Sequence, residues 1–229
     1  MGTEVVPHDM AAFRALARVR LAEFPRIAVP DAPGMRRAAV ALCVVAEPGG
    51  SLSVLVIKRA YRGRNAGQWA IPGGRLEPGE TAQQAALREL HEELGVRVHP
   101  ADVLGLLDDF PAASGFAITP VVATLSGPAD LRPSPDEVHS VHHVDLDRLA
   151  ADDVPHWVHP EDAAPHTVPG APDVPIGRPG LLQMRLGPRM TIHAPTGALL
   201  WQFREVVLLG RTATDARVAD FLQPDWTHR

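Results

Sequence analysis

Cysteine occurs once, at Cys43, and lysine once, at Lys58. A single thiol excludes an intramolecular disulfide framework and a cysteine-based zinc cage, and it fits a reducing, cytoplasmic setting. The remaining cationic residues are arginines, a bias that, with abundant alanine and 23 prolines, reflects a GC-rich coding sequence more than a function. Positive charge is in deficit overall. Twenty-two Lys and Arg against 27 Asp and Glu leave a formal charge of −5. No basic field is available for a non-specific grip on nucleic acid or anionic lipid, so neither is expected as a partner. No stretch approaches the roughly 18–20 apolar residues of a membrane span. Asp9, Arg14, Arg18, Arg20 and Glu23 interrupt any apolar region of a signal peptide.

What is present is ordinary globular composition: 229 residues, 45% apolar and 21% charged. Phe13, Leu16, Ala17, Leu21 and Phe24 recur at helical spacing, with Asp9 placed to cap and Pro25 to close. A Pro/Gly link around Pro30–Gly34 leads to two apolar runs, 36–45 and 51–59, joined by Glu47-Pro-Gly-Gly50 as a hairpin. Trp69–Ile71 continue in extended form. From Thr81 to Leu94 the period is helical: Thr81 and Gln84 form a capping box, Ala82, Ala86, Leu90 and Leu94 lie one turn apart, and Gly95 is the stop. Residues 103–107, 116–125 and 138–144 read as strands, followed by a short helix from Asp145. Residues 151–179, dense in Pro, Gly, Ala, Asp and His, have no hydrophobic period and read as a long loop. A hairpin around Gly187-Pro188 and a helix capped by Thr196, running to Val207 and ended by Gly210, complete the chain.

The segment from Gly74 to Val96 carries the chemistry. Gly73 and Gly74 allow a tight turn and close approach of backbone to a ligand. Glu89 and Glu93 stand one helical turn apart, with Glu92 on the same side. Three carboxylates so placed repel one another near a helix C-terminus, where the dipole also disfavours anions. A hard divalent cation, Mg²⁺ or Mn²⁺, relieves that repulsion, and Arg88 can hold a carboxylate in orientation. A solvated acidic helix face would explain an isolated Glu-Glu pair. It explains poorly Gly73-Gly74, Pro78-Gly79-Glu80, Arg88 and Gly95 at fixed distances.

The segment resembles the Nudix box, Gly-x5-Glu-x7-Arg-Glu-apolar-x-Glu-Glu-x-Gly-apolar, at Gly74, Glu80, Arg88, Glu89, Leu90, Glu92, Glu93, Gly95 and Val96. The resemblance implies an α/β/α sandwich with a mixed central sheet, here with N-terminal and C-terminal helical extensions. It further implies Mg²⁺- or Mn²⁺-dependent hydrolysis of a nucleoside diphosphate linked to another moiety. By that resemblance Glu89, Glu92 and Glu93 ligate metal, the Gly73 carbonyl supplies another oxygen, and Glu80 supports the scaffold or an additional metal. The general base is a box glutamate or a carboxylate from another loop; Glu137 and Asp136 are the candidates, with Asp108 and Asp109 behind them. The expected organisation is an N-terminal helix and linker over 1–34, a Nudix core over 35–150, a Pro/His-rich loop over 151–180, and a C-terminal hairpin and helix over 181–229 packed on the core.

The flanks resemble the coenzyme A pyrophosphatase branch of that family: Leu55-Val-Ile-Lys-Arg59-Ala60 and Ile71-Pro-Gly-Gly74 upstream, Phe110-Pro to Pro120-Val-Val downstream. Ile71 stands where that branch has Phe, and Val56-Ile57 where it has Leu-Thr. CoA-like and ADP-ribose-like substrates therefore both head the list. Arg59, Arg62 and Arg64 suit a polyphosphate with forked donors, and Trp69 is placed to face a ligand. The eleven histidines, including His139, His142 and His143, show no metal-ligand spacing and read as loop and surface residues. The alternative reading is a Nudix-fold binding or regulatory module without catalysis; a third is an isomerase acting on a diphosphate. Large apolar residues on the N-terminal and C-terminal helices make a homodimer the expected assembly.

Overall fold

The computed structural model describes residues 6–61, 66–125, 127, 129–158, 180–211 and 215–223. Two adjacent strands, β1 (Arg36–Ala46) and β2 (Leu52–Arg59), form the expected antiparallel hairpin, with Val44 opposite Val54. On the other side, β1 runs parallel to β7 (Phe116–Thr124), in register from Arg36 opposite Phe116 to Val44 opposite Thr124. The short strands β3 (Trp69–Ala70) and β4 (Gly73–Arg75) pair with β2 and β1. β5 (Val103–Leu106) and β6 (Phe110–Ala112) pair with β7, and β8 (Val138–Asp145) pairs with β2. The result is one eight-stranded mixed sheet.

Alternation along β1 assigns its two faces. Ala39, Ala41, Cys43 and Val45 pack with Leu55 and Ile57 under α2 (Ala82–Leu94), against Leu90 and Leu94. Leu42 and Val44 pack with Val54 and Val56 on the opposite face. There they meet Phe13, Ala17 and Leu21 of α1 (Met10–Glu23) and the C-terminal region. That region holds α3 (Leu146–Ala150), β9 (Pro155–Val158), β10 (Leu181–Gly187), β11 (Met190–Ile192) and α4 (Thr196–Phe203), which continues in a π-helical turn, Arg204–Leu208. The architecture is the expected α/β/α sandwich with a mixed central sheet. Cys43 is fully buried, and burial pushes its thiol up to about 12, so it is a packing residue.

Two local readings change. Within the stretch expected as loop, Pro155–Val158 form β9, antiparallel to Leu181–Met184 of β10. Its backbone partners lie more than twenty residues away in sequence, and Pro155 at its first position removes no ladder bond, so composition concealed it. Residues 159–179 lie outside the described residues. Thr196 does not cap α4: Pro195 holds the cap position, and the Thr196 hydroxyl donates instead to the Trp69 carbonyl at 3.2 Å.

Candidate active site

Local sequence builds the site from α2 and the turn before it. The Thr81 hydroxyl accepts from the Gln84 N–H, and the Gln84 side chain accepts from the Thr81 N–H at 2.9 Å. This box sets the start of the helix and therefore the direction in which Arg88, Glu89, Glu92 and Glu93 project. Arg88 grips Glu80 with two parallel bonds, Nε to Oε1 at 2.9 Å and Nη2 to Oε2 at 3.0 Å. It also donates to the Arg75 carbonyl, to Glu89 at 2.9 Å and to Glu92 at 3.0 Å. The guanidinium holds the Glu80 carboxyl below the usual carboxylate range. Both Glu80 oxygens are thus bonded, tying the turn before α2 to the middle of the helix.

Glu93 is 2% exposed on the inner side of α2. One oxygen accepts from the Gly73 N–H at 3.0 Å, and the other lies 3.7 Å from Arg59 Nη1. Burial pushes its carboxyl up to about 7, against the opposing pull of Arg59 and the Gly73 N–H, while Glu89 and Glu137 push it higher. Glu89 is raised chiefly by burial, partly offset by Arg88, with Glu92 and Glu137 adding repulsion. Glu137, in the turn before β8, is thus brought within electrostatic reach of both. The Glu137 carbonyl also receives the Ala60 N–H, beside Arg59.

The two glycines are required by contact. A Cβ on Gly73 would sit 2.3 Å from the Ala39 carbonyl oxygen, and one on Gly74 would sit 2.2 Å from Glu89 Oε1. Main chain and carboxylates therefore meet where any side chain would separate them.

Among the described residues, no three His, Cys, Asp or Glu side chains are gathered closely enough to form a ready-made metal cage. Glu89 and Glu92 are paired with Arg88 instead. The donor chemistry nevertheless fits a hard divalent cation. It consists of carboxylate and backbone oxygens, with Glu89 and Glu93 both biased toward their protonated forms by burial and by neighbouring carboxylates. A dication favours the ionised forms and takes oxygen ligands.

Gly73, Gly74 and Arg59 also line a cavity of about 490 Å³. Its walls include Trp69 and Phe116, and two guanidinium groups lie near the Phe116 ring, Arg36 at 4.0 Å and Arg75 at 5.1 Å from the ring centre. The far wall comes from the C-terminal region, through His193, Thr196 and Leu199. Sequence reasoning missed these residues. Arg36, Phe116 and Arg75 belong to β1, β7 and β4, and only strand pairing brings them together.

Other candidates are placed elsewhere or lie outside view. Arg62 and Arg64 lie outside the described residues. Asp136 is exposed in the turn beside Glu137. Asp108 and Asp109 are corrections: both are buried structural acids. Asp108 takes the Ile27 N–H, Gln202 and Arg217, while Asp109 takes Arg26, Arg37, the Val29 N–H and the Thr119 hydroxyl. Acceptors so saturated tie the chain's two ends to the core and leave no lone pair for a substrate proton.

The NUDIX domain family model matches residues 35–171, more than half of the chain, and the chain belongs to that family. It is 33% identical over 117 residues to Nudix hydrolase NudL of Pectobacterium atrosepticum, covering 51% of this chain and 60% of the relative. It is 32% identical over 139 residues to Nudix hydrolase 3 of Caenorhabditis elegans, covering 58% and 57%. The match thus spans less than two thirds of these curated relatives' own length. A MutT/nudix family protein from Enterococcus faecalis superposes with a TM-score of 0.42 at 21% identity, over 51% of this chain and 46% of that one. Among the described residues, no helix is long and apolar enough to cross a membrane.

Proposed function

We propose that this chain is an Mg²⁺- or Mn²⁺-dependent pyrophosphohydrolase cleaving the diphosphate bond of a nucleoside diphosphate derivative, with CoA-like and ADP-ribose-like compounds as its substrate classes. The observation that carries the reading is the seating of Glu89 and Glu93 against Gly74 and Gly73, glycines that also line the 490 Å³ cavity. Family membership supports it.

In this reading Glu89, Glu92, Glu93 and the Gly73 carbonyl hold the cation. Bound there, it neutralises diphosphate charge and makes water more acidic. The chain's own residues do the rest. Arg88, anchored on Glu80, keeps the carboxylates oriented. Arg59, beside Glu93 and on the cavity wall, offers its guanidinium to a phosphate. Glu137 accepts the proton of the attacking water. Water oxygen bonds to one phosphorus while the bridging oxygen departs with the other, giving two phosphomonoesters.

A panel of nucleoside diphosphate derivatives, assayed with Mg²⁺ and a coupled phosphatase, tests this. Phosphate in excess of the phosphatase-only control, which accounts for any phosphomonoester the substrate already carries, should appear only when the enzyme is also present. A catalytically silent binding module would release nothing above that control. The complete set Glu89, Glu92 and Glu93 speaks against that alternative.

A further inference from the structure

A second cavity, of about 550 Å³, opens between the edge of the large sheet and the β10–β11 hairpin. Lys58, Trp69 and Ser140 share one face of the sheet, because Lys58 is paired with Trp69 on one side and with Ser140 on the other. His142, two residues beyond Ser140, lies on the same face, its Nε2 2.8 Å from the Ser140 hydroxyl and its ring edge-on to Trp69. Lys58, the only lysine of the chain, sits above Trp69 and Tyr61, 5.4 and 5.7 Å from their ring centres. Among the described residues it has no carboxylate partner. Arg189, exposed at the hairpin turn across the cavity, has none there either.

The other charges around this cavity are already committed. Arg148 is held by Asp153 at 2.7 Å and by the Arg185 carbonyl, and Asp145 takes the N–H groups of Asp147 and Arg148 at the start of α3. His143 is paired with Glu47 at 2.6 Å. Two uncommitted cations, a hydroxyl, and the imidazoles of His139 and His142 are left facing one space. Three cations, Lys58, Arg148 and Arg189, line the cavity against one carboxylate, Asp145, a local excess of positive charge in a chain of net charge −5. Donors of this kind match a tetrahedral oxyanion, which accepts several charge-assisted bonds at once. Burial and the nearby Lys58, His139 and His143 hold the His142 imidazole below its ordinary pKa, consistent with that same local field.

We propose that the second cavity is a phosphate-binding subsite, taking a phosphomonoester through Lys58, Arg189, Ser140 and the His139/His142 pair. Trp69 lines both cavities. The phosphate has two sources by chemistry: a phosphate on the substrate remote from the bond that is cleaved, or free inorganic phosphate.

Inorganic phosphate titrated into the full chain in the presence of chelator, at constant ionic strength, is the first arm. The imidazole NMR signals of His139 and His142 should shift saturably. Lys58→Met and Arg189→Ala should each weaken binding about tenfold, since each removes one charge-assisted contact. A Ser140→Ala variant, which keeps both cations, should weaken it less. No saturable shift, or equal affinity in wild type and all variants, overturns the proposal. This arm involves no turnover, so its failure leaves the hydrolase reading standing, and failure of hydrolysis leaves the subsite standing. The second arm rests on that reading and separates the sources. If the phosphate is the substrate's, Lys58→Met raises KM for a substrate carrying an additional phosphomonoester and not for one lacking it. If it is free phosphate, both KM values match wild type while phosphate affinity still falls.

Discussion

Arg88 and Glu80 face one another as fork to fork, two bonds of 2.9 and 3.0 Å across eight residues of chain. The pair fastens the turn after β4 to the middle of α2, and the same guanidinium orients Glu89 and Glu92. Arg88→Ala should lower kcat by at least a hundredfold and stability by about 1–3 kcal/mol, because several acceptors lose a charged donor together. Arg88→Lys should recover part of the stability and little of the activity, since an ammonium cannot make the paired contact. Thermal melts alongside steady-state kinetics check both.

Gly74→Ala tests the contact with Glu89. The new methyl carbon would stand 2.2 Å from the carboxylate oxygen, so Glu89 must move. Turnover should fall tenfold or more while the melting temperature changes by only a few degrees. A variant of normal kcat would mean that the seat of Glu89 is irrelevant to the chemistry.

Glu93 yields a pH dependence of stability in metal-free protein. Its folded pKa of about 7 exceeds the 4.5 of an ordinary glutamate. The protonated form is favoured by folding, so its contribution is complete below pH 4.5 and is lost as pH rises through 7. Relative to wild type, Glu93→Gln in chelator should therefore gain stability at pH 8, on the order of 3 kcal/mol, and gain little at pH 4.5. Denaturant melts of both proteins at the two pH values measure the difference. The same variant should lose activity by orders of magnitude.

Asp109 is a test of structure against catalysis. Asp109→Ala strips a buried site of its charge and leaves Arg26, Arg37 and the Thr119 hydroxyl without their shared partner. Destabilisation should be about 3–5 kcal/mol. Turnover per folded molecule, at a temperature where the variant is folded, should stay within a few-fold of wild type; a collapse there would restore Asp109 as a proton acceptor.

Divalent metal should raise the melting temperature by linkage. The glutamates are arranged only in the folded chain, so Mg²⁺ at a hundredfold over its Kd adds about 2.7 kcal/mol. Mn²⁺ should act at lower concentration, and Glu89→Gln/Glu93→Gln should abolish the shift. A titration against a monovalent salt of matched ionic strength isolates the effect; equal melting curves would argue against a cation among these carboxylates.

The legible parts of this protein were those encoded within one or two turns of chain. The capping box at Thr81 and Gln84, the one-turn spacing of Glu89 and Glu93, and the apolar run that forms β1 are all local, and each appears in the structure where the pattern puts it. Asp108 and Asp109 show the limit of such reasoning. An adjacent pair of acids reads alike whether it faces a ligand or a ring of arginines, and here its partners come from residues 26, 37 and 217.

Sequence by itself therefore determined the motif, the main helices and the longer strands, because hydrophobic period and capping act between near neighbours. The class of sandwich followed only from the motif's resemblance to a known family. Tertiary structure alone decided which walls the cavities have. Phe116 meets Arg36 through the parallel pairing of β1 and β7, and Arg75 through β4 on the other edge of β1. His193 and Thr196 reach the first cavity because the C-terminal region covers the sheet face opposite α2. Lys58 meets His142 because β8 lies against β2 across some eighty residues of chain. Those encounters depend on register and on which face a strand presents, quantities fixed by the burial of the whole sheet and invisible in any one segment.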